Sequence, residues 1–217
     1  LFGDYSCGSF GDEAKYFIDF LEKCGFSYWQ VLPFCMADEC NSPYKSYSAF
    51  AGNPFFVDLK KLNKKGVITD LELENAKQKT PYLCEYSRLF EERLTLLKKA
   101  SKRVSNEEKI RISEFLEKYD ELALAAKFLA IREANENKPW YEWESETPDS
   151  ETLFMWQFIQ YEFFRQWLEI KKYANSKGIK LIGDVPIYVA LDSCDVWAHK
   201  ELFQLDKDNR PKCVAGV

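Results

Sequence analysis

An α/β fold is predicted for this chain, in which helix–strand steps build a parallel sheet and a helical subdomain is inserted between two of the strands. Three observations predict it. An amphipathic helical pattern runs directly into a short apolar strand over residues 12–34, and the same step recurs over residues 152–189. The interval between the two strands, residues 35–178, is several times the roughly 30 residues of an ordinary βαβ step.

The first helix places Ala14, Phe17, Ile18, Leu21 and Cys24 at helical spacing, opens on acidic residues and stops before Gly25. Residues 27–34 (SYWQVLPF) follow at once. Rich in aromatic and β-branched side chains and closed by Pro33, they read as a fully buried strand of a parallel sheet. Residues 152–176 carry one stripe of Trp156, Ile159, Phe163, Trp167, Ile170 and Ala174, ended by Gly178. The second strand, residues 179–189 (IKLIGDVPIYV), has Asp184 where strand gives way to loop. Between them, residues 86–135 are highly charged and show helical stripes: Leu89, Arg93 and Leu96; Ile112, Phe115, Leu116 and Tyr119; Leu122, Ala125, Phe128 and Leu129. The expected organisation is a sheet portion with a cleft loop over residues 1–58, a mainly helical insertion over 59–150, and a continuation of the sheet over 151–217.

With 217 residues, 46% hydrophobic and 16% aromatic, the chain can bury a sizeable core. A net charge of -5 and a pI near 5.2 argue against nucleic-acid partners and anionic membrane surfaces, which require basic patches. The lysine runs around Lys60 and Lys98 are flanked by acidic residues and read as solvated helix faces. Seven cysteines without CxxC spacing, beside the single His199, point away from a disulfide framework and from a Cys/His zinc site, so reduced thiols and a cytoplasmic location are expected. No long apolar run for a membrane span is present, and no carboxylate cage for calcium is evident.

Three constellations are candidates for chemistry. Residues 40–59 (CNSPYKSYSAFAGNPFFVDL) combine small residues, prolines and aromatics directly after the first strand. Ser42 and its neighbours let the backbone approach a ligand, and Tyr44 and Tyr47 offer faces for a pyranose and hydroxyls to bond it; the competing reading is an Ω-loop packed by its own aromatics. Residues 183–197 (GDVPIYVALDSCDVW) put Asp184 at a strand end and Asp192, Ser193 and Asp195 in the loop beyond. Asp184 there is either a binding group or a brace for the adjoining loop, while Asp192 or Ser193 fits the cap of a short helix. Trp140, Tyr141 and Trp143 are either a carbohydrate platform or a buried hinge. His199 is read as structural, and Glu13, Asp19 and Glu22, on the solvent side of the first helix, as poor acid–base groups.

Taken in order, GSFGDEAKYFIDFL, SYWQVLPF, SPYKSYSAFAGNP, KPWYEW, FFRQW, GIKLIGDVPIYVALDSCDVWAH and the terminal VAGV resemble the 4-alpha-glucanotransferase (amylomaltase) family, related to the alpha-amylases, along the whole chain. The resemblance implies a (β/α)8 barrel that moves alpha-1,4-glucan segments between maltooligosaccharides with retention, one carboxylate acting as nucleophile and another as acid and then base. It implies no cofactor. Position by position, Asp184 is similar to the aspartate of the first amylase-type region, which contacts glucose in subsite -1, and Tyr44 to a tyrosine lining the same donor-side cleft. The Arg-x-Asp-His segment, the acid/base glutamate and the His-Asp-Asn segment of the family do not occur in these residues. The resemblance therefore implies that the nucleophile, the acid/base and the third carboxylate lie beyond Val217 and that these 217 residues alone are inactive and poorly stable. Ser9 stands where the family has an aspartate, and residues 35–40 (CMADEC) replace a glycine-rich loop, which removes the basis for a secondary groove near Glu39. Alternative readings are an alpha-glucan hydrolase and a non-catalytic glucan-binding module.

Overall fold

The computed structural model describes residues 1–36 and 42–214; the expectation at Glu39 lies outside them. Helix α1 (Asp12–Lys23) carries Asp12 and Glu13 in its first turn, where the helix dipole favours negative charge. It leads into strand β1 (Tyr28–Gln30). Two short helices, α2 (Leu59–Lys64) and α3 (Asp70–Asn75), precede α4 (Tyr86–Lys102), α5 (Asn106–Leu116) and α6 (Asp120–Ala134). The long α7 (Ser150–Ser176) then feeds strand β2 (Lys180–Ile182), and α8 (Cys194–Ala198) follows.

Both helix–strand steps are made by the same device. Gly25 (φ +77°) and Gly178 (φ +75°) adopt the left-handed conformation just past the helix, a position where a Cβ would cost free energy. In each, the next amide reaches back to the last turn, Phe26 N–H to Leu21 O (3.0 Å) and Ile179 N–H to Ala174 O (2.9 Å). The chain reverses over residues 24–27 and 177–179, and β1 and β2 come out side by side and parallel, Trp29 opposite Leu181.

The strands are shorter and more exposed than their sequences predict. Only three residues pair in each, Tyr28 is 56% exposed and Ile182 45%, and residues 185–189 form an exposed loop. Among the described residues the sheet has two strands, so each is an edge, and the central residues Trp29 and Leu181 are the ones that pack against the helical core. Beyond β1 the chain turns to meet the loop ahead of α2 through an antiparallel bridge, Cys35 with Gly52.

The remaining elements gather around α7. Its predicted stripe is buried at Trp156, Ile159, Phe163, Ile170 and Ala174, with Trp167 partly covered, and α1, α4, α5 and α6 all pack on it. The helices predicted over residues 86–135 are α4 to α6, and Leu89, Arg93, Ile112, Leu122, Ala125, Phe128 and Leu129 are buried as their spacing requires. No helix among the described residues is long and apolar enough to cross a membrane.

Three polar side chains of α7, Gln160, Glu162 and Gln166, are fully buried. Burial alone would raise the pKa of Glu162, but Arg165 at 2.8 Å and Lys65 at 2.6 Å hold it below its ordinary value. The stability Glu162 contributes is therefore complete above the unfolded carboxylate value of about 4.3 and is lost as pH falls through the lower folded value. Glu162→Gln should destabilise the fold by about 1–3 kcal/mol at neutral pH and by less in acid. Denaturant unfolding at pH 7 and pH 3 measures both; an unchanged difference between wild type and variant across that range would contradict the assignment.

Candidate functional site

The tyrosine-bearing loop over residues 42–54 is fastened from three sides. Behind it, the Gln160 carboxamide accepts from Gly52 N–H (2.8 Å) and donates to Gly52 O (3.2 Å), a pairing that leaves neither backbone group of Gly52 unsatisfied. The approach is close: a Cβ on Gly52 would lie 2.3 Å from the Phe163 ring. From the side, Asp195 on α8 accepts from Ala49 N–H (3.0 Å), and Cys194 N–H donates to Tyr47 O (2.8 Å). Within the loop, Ser48 Oγ accepts from Phe50 and Ala51 amides, and Asn53 accepts from Phe55 N–H to cap the 3-10 turn Pro54–Phe56.

So held, the loop brings Tyr44 to Asp184, two residues beyond the end of β2. The Tyr44 hydroxyl donates to Asp184 Oδ2 at 2.7 Å across 140 positions of sequence. That bond raises the pKa of Tyr44, with burial and the Asp184 charge acting in the same direction, so the phenol stays a donor. The pair opens on a cleft of about 390 Å³ also walled by Val185, Pro186, Ile187 and Tyr188. A phenol–carboxylate pair beside aliphatic and aromatic walls suits a ligand with both hydroxyls and an apolar ring face. Among the described residues Asp184 is the only carboxylate in the lining, whereas glycosidic bond cleavage with retention uses two.

The other candidate residues are placed differently. Ser42 Oγ accepts from Tyr44 N–H (3.4 Å), within the turn that presents the tyrosine. Ser193 is fully buried and caps α8 by accepting from Val196 N–H (3.2 Å). Asp192 accepts from Trp140 N–H (3.1 Å) and from Arg132 (3.4 Å), whose guanidinium stands 4.2 Å from the centre of the Tyr47 ring. Burial raises the Asp192 pKa despite both partners. Trp140 is buried, its indole N–H donating to Leu191 O, and Trp143 packs on Phe128 and Trp197, so two of the three clustered aromatics are taken up by internal packing. His199 sits away from the cleft beside Glu201. Glu13, Asp19 and Glu22 do not simply face solvent: they pair with Lys60, the Tyr173 hydroxyl and Lys177, because α1 lies against α2 and α7. Ser9 donates to Asp58 Oδ2 (2.8 Å), which in turn caps α2. Among the described residues, no three Cys, His, Asp or Glu side chains converge as a metal cage.

Gln160 and Asp195 as loop anchors escaped sequence reasoning. The available signal was a glutamine beside the apolar stripe of α7, since a buried carboxamide requires partners.

The profile describing the 4-alpha-glucanotransferase family matches residues 1–217. The chain belongs to this family. It is 37% identical to a 4-alpha-glucanotransferase of Clostridium butyricum over 99% of this chain and 47% of that protein, and 37% identical to one of Thermus thermophilus over 99% and 46%. The solved amylomaltase of Streptococcus agalactiae in complex with acarbose superposes with a TM-score of 0.94 at 38% identity, covering 100% of this chain and 47% of that one. The chain thus spans about half the length of the curated relatives it matches.

Two expectations test the geometry. In Asp184→Asn the Tyr44 phenol should ionise nearer the ordinary value of about 10, because the negative charge is gone and the amide oxygen left in its place is a weaker acceptor; NMR titration of ring-labelled tyrosine reads this, and an unmoved Tyr44 midpoint would refute the bond. Gln160→Ala should cost about 1–3 kcal/mol, leaving the Gly52 backbone groups unpaired, and should speed hydrogen exchange at the Gly52 amide.

Proposed function

We propose that this chain forms the donor-side portion of a 4-alpha-glucanotransferase that transfers alpha-1,4-glucan segments between maltooligosaccharides by a retaining, covalent route on a (β/α)8 barrel. Residues 1–58 and 151–217 contribute strands and cleft loops to that barrel, and residues 59–150 the helical insertion. The observation that carries the reading is the Tyr44–Asp184 pair at the end of a parallel strand, where barrel enzymes place their binding groups. Family membership and the acarbose complex of the Streptococcus agalactiae amylomaltase support a glucan as the ligand.

In this reading Asp184 accepts hydrogen bonds from glucose hydroxyls in subsite -1, and Tyr44 orients the carboxylate while offering its ring to the sugar. Ser42 shapes the turn that presents Tyr44, and Asp192 and Ser193 keep the adjoining segment in place. The nucleophile and the acid/base come from segments not among these 217 residues, and no metal or cofactor is required for carboxylate-based glycosyl transfer. The scattered cysteines, without CxxC spacing, favour a reducing, cytoplasmic setting.

The test uses the full-length protein carrying this chain, with maltotriose as substrate and product chain lengths as readout. Asp184→Asn should lower kcat/KM by about 10²–10³-fold, the scale of one lost polar contact to the transition state, and Tyr44→Phe by a smaller factor. Products longer than maltotriose establish transfer. Exclusively shorter products would replace transfer with hydrolysis, and binding without turnover would replace both with a glucan-binding module.

A further inference from the structure

Arg132, in the last turn of α6, stands where three parts of the chain meet. Its guanidinium lies 4.2 Å from the centre of the Tyr47 ring, three residues beyond Tyr44 in the cleft loop. Nε donates to Asp192 Oδ2 (3.4 Å), at the far end of the stretch that begins at Asp184, and Nη1 donates to Asn137 Oδ1 (3.1 Å). The turn after α6 fixes this arrangement. Asn137 has a left-handed backbone (φ +62°), a conformation asparagine tolerates, and its N–H donates back to Arg132 O (2.8 Å). Arg132 and Asp192 are largely buried, their side chains 13% and 21% exposed, so the planar guanidinium is held against three partners away from solvent.

We propose that Arg132 is a positioning residue for the Tyr44–Asp184 pair: by stacking on Tyr47 and holding Asp192, it sets the two cleft segments at the separation at which the Tyr44 hydroxyl reaches Asp184. Its effect on turnover rests on the glucan-transfer reading above, whereas its effect on the Tyr44–Asp184 bond does not.

The other anchors act elsewhere. Gln160 grips the cleft loop at Gly52 and Asp195 grips it at Ala49, both beyond Tyr47, while the Cys194 amide takes the Tyr47 carbonyl and leaves the ring to Arg132. On the opposite side, the exposed residues 185–189 are held at their ends, by Tyr44 on Asp184 and by Trp140 and Arg132 on Leu191 and Asp192. Both ties converge on one guanidinium that belongs to neither segment. Methionine in its place keeps the packed stem but has no donor for Asp192 or Asn137 and no charge over the ring. Lysine keeps the charge, yet a compact ammonium lacks the planar face and fork that let one group serve three partners.

The experiment uses the full-length protein carrying this chain. NMR of ring-labelled tyrosine, with the Tyr44 signal assigned by its loss in Tyr44→Phe, follows phenol ionisation in the wild type, Arg132→Met and Arg132→Lys. Removing a positive charge by itself raises a phenol pKa, whereas a loosened bond to Asp184 lowers it toward the ordinary value of about 10. The expected result is a fall in Arg132→Met and a smaller fall in Arg132→Lys. Lost stability alone reduces the amount of folded protein and leaves the folded protein's midpoint where it was. A Tyr44 midpoint that is unmoved or raised in Arg132→Met overturns the proposal; should that variant fold poorly, Arg132→Lys decides by the same sign. With maltotriose as substrate, Arg132→Met should lower kcat/KM by about 10–10²-fold, the scale of a misplaced binding group, and should lower it little further when made in Asp184→Asn, where the group it positions is already impaired. Losses that multiply in the double variant would also overturn it. A falling midpoint in a protein that transfers no glucan upholds the role of Arg132 and refutes the glucan-transfer reading instead.

Discussion

The buried carboxamide of Gln160 is the constraint on which the site depends. A glutamine with no exposed surface, on the most heavily packed helix of the molecule, has to satisfy both its N–H and its C=O, and the one backbone unit that does so is Gly52. Gly52 can come close enough only because it lacks a Cβ, which would enter the Phe163 ring. The interaction therefore sets the distance between α7 and the cleft loop to a value that no other residue at position 52 permits. Asp195 and the Cys194 amide do the corresponding work from α8, and the 2.7 Å bond between Tyr44 and Asp184 is the result.

The same helix organises charge on its other side. Glu162 and Gln166 continue the buried polar row, Gln166 accepting from Asp58 N–H and donating to Glu162, which holds Lys65 and Arg165. Asp58 caps α2 and receives Ser9, so the N-terminal segment, α2 and α7 share one network. Arg93 plays a similar role from α4, satisfying carbonyls of Tyr5 and Val57. These buried polar groups cost free energy to desolvate and are tolerated because each has partners in fixed positions; in return they register loops that apolar packing alone would leave free to slide.

The sheet shows a different balance. Gly25 and Gly178 end their helices in the same way, so β1 and β2 lie parallel without any special pairing device. Their outward residues Tyr28 and Ile182 stay exposed, since the helices cover only Trp29 and Leu181. Such edges are surfaces on which further strands would be expected to build.

Local rules made much of this legible from the residues. Helical spacing with a following glycine marked α1 and α7, the charged stripes marked α4 to α6, and the ordered motifs marked the family, because each of these signals is carried by neighbours in sequence. Tyr44 and Asp184 could be singled out by residue type and by their places after strands, and Ser193 by its position ahead of a short helix. The strand lengths were overestimated because apolar runs record what a strand can bury, whereas pairing ends where a neighbour ends. The bond joining Tyr44 to Asp184, the anchoring by Gln160 and Asp195, and the conversion of Asp192 into a partner for Arg132 and Trp140 all span from about fifty to well over a hundred positions. Only the packing of α4 and α6 on α7, and of α8 on α6, decided them, since a hydrogen bond at such separation depends on where whole elements dock and not on the residues beside it.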